Sequence, residues 1–160
     1  MEKTEGGVVA QMRKNLEELR SRGVEPYPPR AERTALAGDL TDNYDEREGS
    51  RVTVAGRLMA VRGHGKAGFA DLLDGSGKIQ LYVRKDDVGE EQFELWKLFD
   101  VGDIVGATGE VFKTRSGEVS LKAESVIPLA KALRPLPEKW HGLKDKEVRY
   151  RQRYLDLIAN

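Results

Sequence analysis

From residue 51 to residue 127 apolar and polar residues alternate with a period of two, the pattern of strands that bury one face. Residues 51–61 (RVTVAGRLMAV), 69–74 (FADLLD), 78–84 (KIQLYVR), 104–113 and 118–127 predict five strands. Gly75-Ser76-Gly77 and Ser116-Gly117 fall where tight turns need positive φ. Between the third and fourth strands the period changes: in EEQFELWKLFDVGD, Phe93, Trp96 and Leu98 or Phe99 recur at helical spacing. Five strands with a helix between the third and fourth is the order of an OB-fold barrel. The expected class is therefore mainly β, a five-stranded OB-fold barrel with an N-terminal amphipathic helix and a C-terminal linker helix.

Ahead of the strands, residues 8–22 place Val8, Val9, Met12, Leu16 and Leu19 mostly three and four apart, as an amphipathic helix does, and Gly23 is its natural stop. The following VEPYPPR cannot continue a helix and reads as a strap. A short helix around residues 36–44 is also expected. Prolines punctuate the chain into a helix and strap (1–50), a barrel (51–128), and a linker and helix (129–160).

Alternation assigns faces. Ile79, Leu81 and Val83 point inward in the third strand, leaving Gln80, Tyr82 and Arg84 outward. In the second strand Ala70 and Leu72 go in while Phe69, Asp71 and Leu73 go out; in the fifth, Val119 and Leu121 go in while Glu118, Ser120 and Lys122 go out. Alone, Phe69 reads first as a core or hairpin residue, and Gln80 and Glu118 as a solvated face. Their convergence on the barrel surface where OB-folds bind oligonucleotides changes that reading: an exposed aromatic beside an amide and a carboxylate can stack a base and read its edge. The segment Arg62-Gly-His-Gly-Lys-Ala-Gly68 reads either as a plain hairpin connection or as a loop bringing Arg62, Lys66 and backbone amides to a phosphate. It lacks the Walker spacing of a P-loop.

Charge narrows the field. The 160 residues carry 27 Lys plus Arg against 27 Asp plus Glu, so no long-range field of either sign exists and a charged partner must meet a local patch. The basic surplus lies in residues 129–160, with 8 basic and 4 acidic. With no cysteine, disulfides, thiolate zinc sites and Cys nucleophiles are excluded, and His64 and His141 are too far apart for a local metal motif. No stretch approaches the ~18 apolar residues of a membrane span, and the start lacks a secretory apolar core, so the default compartment is the cytoplasm and no membrane partner is expected.

Three segments carry a resemblance. RGHGKAGFADLLDGSGKIQLYV, VGATGEVFKTRSGEVSL and KALRPLPEKWHGLKDKEVRYRQRYLDLI resemble the N-terminal region of bacterial lysyl-tRNA synthetases, over nearly all of the chain. The resemblance implies a class II synthetase whose OB domain binds the anticodon loop of lysine tRNA and precedes a catalytic domain, in a homodimeric parent that attaches lysine with ATP and magnesium. It implies that the residues matching Phe69, Gln80 and Glu118 recognise the central uracil of the anticodon, assisted by Arg62. Lys66 and Arg115 are the further cations expected near the RNA, and Tyr82 a second exposed aromatic. Leu73 stands where the family commonly has a polar residue and Gly68 replaces a more usual Ser, departures expected to loosen the surroundings of Phe69. The class II motifs are missing, so the expectation is an N-terminal piece with no cofactor of its own, inactive as an enzyme and separated from the catalytic domain it would pack on. Tyr150, Tyr154, Leu157 and Ile158 read as the apolar face for that packing, with RNA contact by Arg149, Arg151 and Arg153 the other reading. Two further classes stay open: a general single-stranded nucleic-acid module, which calls for several exposed aromatics, and a protein-interaction domain.

Overall fold

The structure, a computed structural model, describes residues 5–26 and 33–133. Most of the strap and the expected C-terminal helix, with its tyrosines and arginines, lie outside the described residues.

The alternating segments form β1 (Arg51–His64), β2 (Ala67–Leu73), β3 (Lys78–Arg84), β4 (Ile104–Lys113) and β5 (Val119–Ala130), closed into a barrel in the order β1-β2-β3-β5-β4. All neighbours are antiparallel except β3 and β5, which run parallel. β1 closes the barrel because it is long enough to pair twice: Arg51 to Arg57 face β4 and Arg57 to His64 face β2, with an irregularity between Leu58 and Ala60 that lets the strand bend. The inward positions fill the interior. Val54, Leu58, Leu72, Leu81, Val83, Val105, Val111 and Leu121 have no exposed surface, each burial stabilising the fold by roughly 1.5–3 kcal/mol before entropy is counted.

Among the described residues five helices flank the barrel: α1 (Glu5–Ser21), α2 (Ala37–Asp42), α3 (Tyr44–Arg47), α4 (Lys85–Val88) and α5 (Glu90–Trp96). α1 buries Met12, Leu16 and Leu19 and ends where expected, the N–H groups of Gly23 and Val24 bonding back to Arg20 and Leu19 carbonyls. The helix expected at 36–44 is two short ones, broken at Asn43, and the segment between β3 and β4 begins with the short α4 before α5 buries Phe93 and Trp96.

Both expected turns form, the first with an added side-chain anchor. Between β2 and β3 Gly77 takes the expected positive φ, at 157°, and the Asp74 carboxylate anchors the turn as well: it accepts from Ser76 N (2.8 Å), Ser76 Oγ (2.6 Å), Gly77 N (3.1 Å) and Ala37 N (2.8 Å), so one side chain closes the turn and secures the start of α2. Burial pushes the Asp74 carboxyl up, but these hydrogen bonds together hold it below its ordinary value. The turn between β4 and β5 follows the expectation, with Gly117 at φ 91°.

A buried polar cluster joins α1 to the end of the barrel. Lys131, just beyond β5, places Nζ 2.6 Å from Asp103 Oδ2 and also bonds to Asp100, while Asp103 accepts the backbone N–H groups of Asp100 (2.9 Å) and Ala132 (2.7 Å). Asn15 of α1 donates to both Asp100 oxygens at 3.1 Å. The side chains of Lys131 and Asp103 are wholly buried, and this desolvation raises the Asp103 carboxyl against the pull of Lys131.

Candidate nucleic-acid interface

Pairing registers bring the outward side chains of different strands into rows. Arg62 lies opposite Phe69, Phe69 opposite Tyr82, and Tyr82 opposite Lys122. The next row runs Asp71, Gln80, Ser120 and Phe112. Phe69, Tyr82 and Gln80 are half-buried on the outer surface, as alternation requires. The Phe69 and Tyr82 rings stack with centroids 4.7 Å apart and planes 23° from parallel. Arg62 reaches along this surface to Asp71, 3.5 Å away, and keeps 57% of its side chain exposed.

Most of the segment expected as a loop, Arg62 to Gly68, is paired strand; the turn itself is Gly65-Lys66. Lys66 is exposed at that tip, which Lys85 N clamps by donating to the Lys66 carbonyl at 2.8 Å. Arg115 is exposed in the β4–β5 turn. Because Ala67 pairs with Arg84 and Ser120 with Gln80, these two turns mark opposite ends of the surface. From Gln80 to Arg84 the strand advances about 13 Å at ~3.3 Å per residue, room for a few nucleotides between the cations.

Two expected placements need correction. Glu118 is not in a strand: β5 starts at Val119, and Glu118 is exposed at the end of the turn, its N–H bonded to Thr114 Oγ1 at 3.1 Å. The turn thus carries both Glu118 and Arg115, and Glu118 joins the Gln80 row only through its closeness to Ser120. Ser120 is on the outer face by register, paired between Gln80 and Phe112, yet has no exposed surface. Its Oγ lies 2.9 Å from Gln80 Oε1 and 3.3 Å from the Glu118 carbonyl.

Gly68 also behaves differently from expectation. It faces away from Phe69, toward the interior, where a Cβ would fall 2.8 Å from Trp96 Nε1. The indole fills the space a side chain at 68 would take, so the backbone under Phe69 is packed and not loosened. On this inner side of the hairpin a cavity of about 380 Å³ opens between Arg62, Gly63 and the α5 residues Phe93 and Trp96; Phe69, Tyr82, Gln80 and Glu118 do not line it.

The residue that sequence reasoning missed is Phe112. Its ring centre is 6.0 Å from that of Tyr82, extending the aromatic surface to three rings. The signal was present, since Val111 is buried and its neighbour must face out. Together the face offers stacking surfaces, an amide, a carboxylate and cations at its ends.

Residues 52–129 match the family model described as an OB-fold nucleic acid binding domain. The lysine-tRNA ligase of Pelotomaculum thermopropionicum is 57% identical over 148 residues, covering 92% of this chain and 29% of the relative. That of Thermoanaerobacter pseudethanolicus is 54% identical over 92% of this chain and 30% of its own length, and that of Clostridium botulinum (strain Okra) 56% over 91% and 29%. The chain spans less than a third of the length of these relatives.

Proposed function

Because residues 52–129 belong to the OB-fold nucleic acid binding family and the chain is related to lysine-tRNA ligases along 92% of its length, we propose that it binds the anticodon loop of lysine tRNA. The observation that carries the reading is the stacked Phe69–Tyr82 pair on the outer face, with Gln80 and Glu118 at one end. Phe69 stacks the central base of the anticodon on its exposed surface. Uracil presents an N3 donor between two carbonyls, so the Glu118 carboxylate accepts the N3 proton and the Gln80 amide donates to a carbonyl. Arg62, held by Asp71, and Lys66 and Arg115 at the two turns meet the phosphates on either side. Attachment of lysine with ATP belongs to the remainder of a longer ligase, and no residue described here is assigned to it.

Phe112 favours one second reading, a general single-stranded nucleic-acid module, because a three-ring surface stacks bases regardless of identity. An NMR titration separates the outcomes. A stem-loop with the lysine anticodon should shift amides of Arg62 to Tyr82 and of the β4–β5 turn. Shifts confined to the opposite side of the barrel, around Thr53 and Thr108, would overturn the proposal. Equal affinity for any single strand would support the second reading.

A further inference from the structure

We propose that Ser120 is a positioning residue for base selection, its hydroxyl fixing which end of the Gln80 side-chain amide faces the RNA. The inference rests on the reading of the outer face given above. Ser120 and Gln80 are paired across β3 and β5, and Ser120 Oγ stands 2.9 Å from Gln80 Oε1. Two oxygens this close need a proton between them, and an amide oxygen has none to give. The serine hydroxyl therefore donates. That is its single proton, and the carbonyl of Glu118, at 3.3 Å, is the more distant acceptor.

With Oε1 engaged, Nε2 is the outward end. Among the described residues it has no hydrogen-bond partner, and no side-chain nitrogen or oxygen is buried without one, so Nε2 reaches solvent as a donor. If the hydroxyl turned to the Glu118 carbonyl, the amide would reverse: Nε2 would donate to Ser120 Oγ and Oε1 would face out as an acceptor. The two arrangements suit different bases. A donor meets the carbonyls that flank N3 of uracil, while an acceptor meets the exocyclic amino group of cytosine. The full burial of Ser120 keeps water from competing for the hydroxyl, so its direction holds the amide. One small side chain, named by alternation only as an outward residue, then sets which end of the amide meets the base.

The test compares stem-loops carrying uracil or cytosine at the central anticodon position, titrated against the wild type, Ser120→Ala and Phe69→Ala at one salt concentration. Ser120→Ala is expected to lower the uracil-to-cytosine affinity ratio about three- to tenfold, the scale of one neutral hydrogen bond, with the thermal midpoint lowered by no more than about 5 °C. Ser120→Gly, which also lacks the hydroxyl and adds no volume, takes its place should the alanine variant not fold. Phe69→Ala is expected to weaken both stem-loops. An unchanged ratio in the serine variants alongside weakened binding by Phe69→Ala would overturn the role of Ser120 and leave the face reading intact. Unchanged binding by Phe69→Ala would remove the face reading, and this inference with it.

Discussion

Replacing Phe69 by alanine separates binding from folding, because the ring is only partly engaged by the protein. It stacks on Tyr82 at 4.7 Å and the side chain is half-buried, leaving part of its surface exposed. Stacking of a base on that exposed surface is worth about 1–3 kcal/mol, so Phe69→Ala should weaken an anticodon stem-loop about 5- to 150-fold. Losing the contact with Tyr82 removes about 0.5–1.5 kcal/mol of pair energy plus some apolar burial, roughly 1–2.5 kcal/mol of stability in all. At this chain length that lowers the thermal midpoint by about 3–8 °C. A fully buried neighbour such as Leu81 sets the contrast, since its truncation costs roughly 2–5 kcal/mol of stability with no direct loss of stacking. The assay is fluorescence anisotropy with a labelled stem-loop at a temperature where both proteins are folded, beside thermal unfolding without RNA. Wild-type affinity in the variant, whatever its midpoint, would refute the stacking role.

Other outcomes follow from the same structure. Lys131→Met should destabilise the protein by about 3–5 kcal/mol, because it leaves Asp103 buried beside Asp100 with no cation. The Asp103 carboxyl is already raised by burial and rises further without Lys131, so the variant should regain stability as the pH is lowered from neutral toward 5; a urea-denaturation loss that is constant across that range would contradict this. Asp74→Ala should cost about 1–2 kcal/mol near neutral pH. Since the folded carboxyl titrates below its ordinary value, that contribution is present above pH ~3.9 and is lost as the pH falls through the folded value, so the unfolding curves of variant and wild type should converge in acid. Binding of the stem-loop should weaken with salt by a slope matching about 2–4 phosphate contacts, each contributing ~0.7; a slope several times steeper would mean that a basic surface beyond Arg62, Lys66 and Arg115 takes part.

The barrel was legible because period-two alternation reports burial directly: the inward Ile79, Leu81 and Val83 and the outward Gln80 and Tyr82 fall where the pattern puts them. Gly23 ended the first helix for the same local reason. What alternation does not carry is how deep an outward residue lies: Ser120, an outward position by the pattern, is fully buried between Gln80 and Phe112. Phe112 was legible by the same rule, applied one strand further. The glycine of the β2–β3 turn was legible, but the Asp74 contacts were not, because its carboxylate also reaches α2, 37 positions away. Nothing local announces the Asp103–Lys131 pair. Its members stand 28 residues apart, and only closure of the barrel brings them together.

If the outer face chooses a base by its edge, Glu118 is the side chain whose change should show it. A carboxylate only accepts hydrogen bonds from N3 of uracil, whereas the glutamine amide both accepts and donates. The measurement is a pair of titrations, with uracil and with cytosine at the central anticodon position, for the wild type and Glu118→Gln at one salt concentration. The variant should bind the uracil stem-loop more weakly and lose about 1–3 kcal/mol of discrimination against cytosine. Equal loss of affinity for both stem-loops would contradict it, reducing Glu118 to a support of the turn that reads no base.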